Sequence, residues 1–315
     1  MIIKILVLTS LLIELMVNTT FADPSVKSRF FHSGDGVIHL SSRKNSNVFQ
    51  GIYREMNGQY NTDAYQKISA VFDAPYRSSS QSSSQVLSLR LIEFIDYLED
   101  QLGKGSLITI TSGYRAPEYN TKLRKGGGLA AKASLHQYGM AADFIMDEVP
   151  SKRVWEYVRS IGFGGTGYYH GETVHVDVGP SRFWDEKTSG VGTGLSDENK
   201  LIGLVTDYDI YAPGDVMTLS FIRMTAFPIK VRSQFQLIPK ENPEIRNEAL
   251  PFKPDSKGFS EDGCGEFHNI GDMDSFRWRI PSTIKQGRYR IRAGFCGDRW
   301  EQMPKDVSTP EFEIR

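Results

Sequence analysis

Two short motifs constrain this chain more than any other feature. Ser134-Leu135-His136-Gln137-Tyr138-Gly139-Met140-Ala141-Ala142-Asp143 is followed downstream by Glu172-Thr173-Val174-His175-Val176-Asp177, and Ser112-Gly113-Tyr114-Arg115 lies upstream of both. Two imidazoles and one carboxylate are the donor set of a catalytic zinc site with an open position. A fold that uses them must turn after His136 and bring Asp143 back beside His175. Gly139 and the small residues Ala141 and Ala142 suit that turn and the tight packing after it. His175 and Asp177 share one face if their segment is a strand, because strand side chains alternate with period two.

The surrounding pattern predicts a mixed α and β region. Ser33-Gly34-Asp35-Gly36 reads as the turn of a hairpin over 29–40, and a helix is expected after Asp63. Residues 77–85 are almost pure serine and glutamine and read as a surface loop. Leu91, Ile95, Leu98 and Leu102 recur at helical spacing, with Gly103 at the C-terminal end. Ile108-Thr109-Ile110-Thr111 is a β-branched strand that delivers Tyr114 and Arg115 to its end. Pro117 opens a short helix that stops at Gly126-Gly127-Gly128. Ser151 is placed to cap another helix, lined by Val154, Val158 and Ile161 and closed by Gly162. Extended segments at 141–146 and 173–178 place the candidate ligands on strands or at their ends.

Beyond a linker over 188–200 the texture becomes all-β. Apolar residues alternate with polar ones through 229–237, 276–280 and 288–295. Strands with one buried and one wet face suggest an antiparallel sandwich of immunoglobulin-like type over 201–315. Arg277, Arg279, Arg288, Arg290 and Arg292 then line the wet face, as a docking surface or, more simply, as a solvated face balanced by acids. Cys264 and Cys296 are the two cysteines, and a disulfide is their simplest use in an exported chain.

Export is what the N-terminus predicts. Lys4 precedes an apolar run over 5–17, and Thr20-Phe21-Ala22 offers small residues for cleavage after Ala22. The run is too short and broken for a stable transmembrane span, so residues 1–22 read as a signal peptide and the destination as periplasmic. The formal charge of -1, from 37 basic and 38 acidic residues, argues against a nucleic-acid partner. The remaining length, about 290 residues, suits two domains, at 23–187 and 201–315.

The bases that would serve such a site are Glu172, three residues before His175, and Asp177, which could instead orient an imidazole. Glu172 ranks ahead. Arg115 is the natural clamp for a substrate carboxylate, or else a salt bridge between strand and helix. Tyr114 and Tyr169 are candidate wall residues or oxyanion stabilisers. His32, His39 and His268 carry no supporting context and read as structural, and His170 as a loop histidine.

At these residues the chain resembles the bacterial zinc peptidases of the D-Ala-D-Ala carboxypeptidase and hedgehog-type superfamily, and within it the murein endopeptidase K-like branch. The resemblance rests on Ser112-Gly113-Tyr114-Arg115 with Asn120 and Leu123-Arg124, on Ser134-x-His136 through Asp143, and on Gly164-Gly165-Thr166-Gly167-Tyr168-Tyr169. It continues through Val174-His175-Val176-Asp177 and Gly179-Pro180-x-Arg182-x-Trp184. It implies an α+β fold around a small antiparallel sheet and zinc held by His136, Asp143 and His175. It also implies hydrolysis of peptidoglycan cross-links or stem peptides, with endopeptidase action preferred over D,D- or L,D-carboxypeptidase action. Two other readings are a non-catalytic, zinc-stabilised wall or partner binding module, and an adhesin led by the sandwich.

Overall fold

The protein is described by a computed structural model over residues 28–315, apart from 77–85, 128–129, 190–192, 241–248, 257, 261, 274–275 and 298. The predicted signal peptide and the serine-glutamine tract lie outside the described residues.

The first region is α+β. Its strands are β1 (Val37–Ser42), β2 (Val48–Ile52), β3 (Ile108–Ser112), β4 (Ala141–Met146), β5 (Gly165–Tyr168), β6 (Val174–Asp177) and β7 (Arg182–Asp185). They form one seven-stranded sheet in the order β2-β1-β3-β4-β6-β5-β7. The sheet is larger than the resemblance implied and is mixed, since β1 with β3 and β5 with β7 run parallel. Helices α1 (Thr62–Val71), α2 (Leu89–Leu102), α3 (Pro117–Lys125) and α4 (Ser151–Ile161) fall close to where apolar spacing, for α2 and α4, and Pro and Gly punctuation, for α3, put them, with α1 at the helix expected near Asp63. Asn61 caps α1 by accepting from the Ala64 N–H, and Gly162, in the left-handed region at φ 66°, closes α4. Alternation along β4 and β6 sends Ala142, Phe144, Val174 and Val176 into the core shared with α1, α2 and α4. Asp143, His175 and Asp177 therefore fall on the other face.

Two local expectations need correction. The first hairpin joins β1 to β2 across 43–47, whereas 33–36 carries no strand. Those turn residues are bound to α2 instead: Asp35 N–H donates to Asp100 and Gly36 N–H to Asp96, at 2.7 and 2.9 Å. Ser151 is the first residue of α4 rather than its cap, and its hydroxyl donates to the Gly171 carbonyl.

The second region is all-β and packs around its own apolar core. It contains β8 (Gly203–Thr206), β9 (Ile210–Tyr211), β10 (Val216–Ile222), β11 (Ile229–Arg232), β12 (Phe235–Pro239), β13 (Leu250–Phe252), β14 (Cys264–Phe267), β15 (Phe276–Arg279), β16 (Gly287–Gly294), β17 (Asp306–Ser308) and β18 (Phe312–Ile314). They make a β15-β10-β8 sheet, a β11-β14 pair, and a larger sheet β13-β12-β16-β18-β9 with β17 against β16. The alternating run at 229–237 is thus two strands in different sheets. The chain bends at Ser233, whose N–H donates to Gly263 O at 2.8 Å. Cys264 and Cys296 are joined in a disulfide. The arginines of β16 meet acids: Arg288 and Arg290 lie against Glu311, and Arg292 against Asp306. That is the solvated, balanced face.

The two regions are tied together by buried polar contacts. The Arg90 guanidinium of α2 reaches across to Asp209 Oδ1 at 2.8 Å and to the Thr206 carbonyl at 2.7 Å. Tyr138 packs on both cores and accepts from the Met224 N–H at 3.0 Å. No helix among the described residues is long and apolar enough to cross a membrane.

Candidate metal centre

His136 sits on a single 3-10 turn, Leu135–Tyr138, that ends at Gly139 in the left-handed region at φ 60°. A side chain there would also collide with the Val86 carbonyl, so glycine lets the turn dock tightly before β4 begins. Asp143 and His175 are direct cross-strand partners on β4 and β6. The sequence trio therefore meets in space: His136 Nε2 lies 3.3 Å from His175 Nδ1, and Asp143 Oδ1 lies 2.8 Å from His175 Nδ1 and 3.5 Å from His136 Nε2. All three residues are buried. Donors held about 2.0–2.2 Å from a tetrahedral zinc ion stand roughly 3.3 Å apart. The triangle, with its neutral-nitrogen and carboxylate chemistry, fits such an ion.

The second nitrogen of each ring fixes the direction of the first. His136 Nδ1 lies 2.7 Å from the Gly113 carbonyl, which only accepts, so Nδ1 carries the proton and the Nε2 lone pair faces the cluster. His175 Nε2 donates to Asp177 Oδ2 at 3.0 Å, leaving Nδ1 for the cluster. Carboxylate and carbonyl partners of this kind hold metal-binding imidazoles in place. Burial holds the His136 pKa below its ordinary value, which keeps the ring neutral. Burial also acts on His175, but Asp143 and Asp177 outweigh it and raise that ring's pKa. Burial opposes ionisation of Asp143 as well, yet the two imidazoles hold its carboxyl well below the usual range.

The other nominated residues divide. Arg115 Nη2 donates to Asp143 Oδ2 at 2.7 Å and its Nε to Ser112 Oγ at 2.9 Å, so the guanidinium orients the Asp143 carboxylate from the edge of the site. Tyr169 OH donates to Asp143 Oδ1 at 3.3 Å. Burial, then Asp143, raise the phenol's pKa and keep it protonated. Asp177 has no exposure, and both its oxygens are engaged: Arg182 forks onto them at 2.9 and 2.6 Å, and Gly179 N–H donates at 2.9 Å. Glu172 is not brought to the triangle. It is exposed, two residues before the last β4–β6 pair, on the wall of an open groove with Arg43, Thr109 and Ile145. Tyr114 lines a cavity between the two regions instead of the metal centre. His170 pairs with Asp185 at 2.8 Å in its loop, and His32 packs among Phe94, Tyr97 and Phe163.

Two contributions escape a reading of ligand spacing alone. The Arg182 fork on Asp177 is one. The other is Trp184, whose ring lies 4.8 Å from that of His175 in space left open by Gly167. The signal for both was Arg182-x-Trp184, an alternation that puts the two side chains on one face of β7.

An oriented His-Asp-His triangle on a mixed sheet is the kind of centre that metal-dependent hydrolases carry. The comparisons agree with it. The family model described as Peptidoglycan L,D-endopeptidase MepK matches residues 33–184, so this segment of the chain is similar to that peptidase family. The Peptidoglycan L,D-endopeptidase MepK of Escherichia coli strain K12 is 28% identical over 172 residues, 54% of this chain and 79% of that protein. The probable peptidoglycan L,D-endopeptidase MepK of Haemophilus influenzae is 36% identical over 89 residues, 28% of this chain and 48% of that protein. A solved structure of the Pseudomonas fluorescens alkylpurine DNA glycosylase AlkC is similar over 36% of this chain and 30% of that one, at 16% identity. Its TM-score is 0.22, too low to define a shared fold.

Proposed function

We propose that this chain is an exported, periplasmic, zinc-dependent peptidase that hydrolyses peptide bonds in peptidoglycan, acting on cross-links ahead of free stem ends. The observation that carries this reading is the buried triangle of His136, Asp143 and His175 inside the segment that matches the peptidase family. We read 23–187 as the peptidase domain, 188–200 as a linker and 201–315 as an accessory domain of immunoglobulin-like type.

A zinc ion held by these three residues would supply Lewis-acid polarisation of the scissile carbonyl and acidify the attacking water. The protein's own groups do the rest. Arg115 and Tyr169 fix Asp143, and the protonated Tyr169 hydroxyl can turn its donor to an oxyanion as charge develops. Asp177, fully occupied by Arg182, Gly179 and His175, orients the imidazole. Glu172, on the loop joining β5 to β6 and outside the triangle, is the remaining nominated carboxylate, and it carries the proton from water to the leaving amine only if that loop brings it to the site when substrate binds.

The test is mass-spectrometric muropeptide analysis of purified peptidoglycan incubated with the mature protein, zinc-loaded or chelated, beside His136→Ala. Zinc-dependent loss of cross-linked species, absent in the variant, is the expected result. Unchanged cross-links and stem lengths with folded, zinc-bound protein would replace the enzyme with a binding module.

A further inference from the structure

The two regions enclose a half-open cavity of about 600 Å³, within the size range of small-molecule sites and at a domain interface, where such sites concentrate. Its lining is unusually aromatic. Tyr60, Tyr65, Tyr76, Tyr114 and Tyr138 come from the peptidase region, and Tyr208 comes from the β region. Ser88, Thr218 and Ser220 add hydroxyl-bearing residues to the same lining.

The charges in the lining are already spent. Arg90, the one cation among the described lining residues, is held by Asp209 and the Thr206 carbonyl. Asp207, the one acid among the described lining residues, accepts from Tyr211 OH at 2.6 Å and from Thr218 N–H at 2.9 Å, and burial raises its pKa. A stem peptide, with its free carboxylates and amines, finds no free countercharge among the described lining residues, and desolvating those ions unpaired is costly. A neutral ring with flat C–H faces and hydroxyl or amide edges matches a lining that combines tyrosine rings with hydroxyl-bearing residues. The cavity also adjoins the metal centre through sequence neighbours. Tyr114 precedes Arg115 and Gln137 follows His136, so the loops that carry these two residues form the shared wall.

We infer that this cavity binds the sugar strand of peptidoglycan, one or two N-acetylated hexosamine units, while the attached peptide enters the metal centre. The inference rests on the peptidase reading for the identity of the polymer. It makes the β region part of substrate selection, since Tyr208, Thr218 and Ser220 belong to it.

The experiment compares the full-length protein on one cross-linked substrate with its disaccharides attached and on the same peptides stripped of sugar. Binding of chitobiose, the N-acetylglucosamine disaccharide, is measured alongside by calorimetry. The sugar-bearing substrate is expected to show a kcat/KM about tenfold higher, carried in KM. Ser220→Trp, which fills the cavity from β10, should bring the ratio of the two substrates towards one and abolish chitobiose binding. Tyr76→Leu, a milder change at a half-buried ring, should move both in the same direction. The ratio is internal to each variant, so misfolding appears as loss on both substrates. Equal kcat/KM on the two substrates, or chitobiose binding that Ser220→Trp leaves intact, overturns the sugar subsite and leaves the peptidase reading standing. Cleavage of neither substrate overturns the peptidase reading, and calorimetry then decides the cavity separately.

Discussion

Asp177 and Glu172 are the two acids nominated for one imidazole, and their surroundings set them apart: only Asp177 touches it. Asp177 is buried, forked by Arg182 and bonded to His175 Nε2. Burial works against its charge, but Arg182 and His175 hold its pKa well below the usual carboxylate range. Asp177→Asn should therefore weaken metal binding or activity by about 10–100-fold, measured by competition with a chromophoric chelator. Glu172→Gln should leave metal affinity in place and lower kcat by about 10²-fold or more. Retention of full activity by that variant would remove Glu172 from the proton path. The trio that meets in space was readable in the sequence because three donor residues sat in an ordered motif. Ranking the acids was not, because Asp177's partner Arg182 lies on another strand and only the fold brings them together.

At the scale of elements, α2 was plain from its Leu91, Ile95, Leu98 spacing, while its polar face was not. Asp96, on that helix, is buried and accepts from Tyr53 OH at 2.8 Å and Gly36 N–H at 2.9 Å. Burial, against those two bonds, pushes its carboxyl up to about 8. The folded pKa thus lies above that of the unfolded chain, about 3.9. The stability this group allows is fully present below pH ~4 and is lost as pH rises to ~8, by up to about 1.4 kcal/mol per pH unit in that window. Thermal melts of the wild type and Asp96→Asn across this range should diverge as pH rises, with the wild type losing ground. Parallel pH profiles would show that Asp96 ionises without cost. The same contacts explain the displaced hairpin: Gly34-Asp35-Gly36 looked like a free turn, but its backbone N–H groups are recruited by carboxylates some sixty residues later in the chain.

Across the whole molecule, the division into an α+β and an all-β region was readable from the change of hydrophobic period, but their docking was not. No local pattern announces that Arg90 of one helix ends on Asp209 and Thr206 of the other region, with both side chains of the ion pair only 7% exposed. Arg90→Ala leaves Asp209 buried with part of its compensation gone and should cost about 3–5 kcal/mol. Calorimetry is expected to show a lowered melting temperature for the docked pair, and an unchanged melt would mean the regions are joined by apolar contact alone.

The central claim is that one metal ion, held by His136, Asp143 and His175, makes this chain a hydrolase. Titrating zinc into the metal-free protein while following cleavage of cross-linked muropeptides tests it most directly. Activity is predicted to rise linearly and stop at one equivalent per chain, with Asp143→Ala neither binding that equivalent nor cleaving. Full cleavage by the metal-free protein, or by Asp143→Ala, would contradict it.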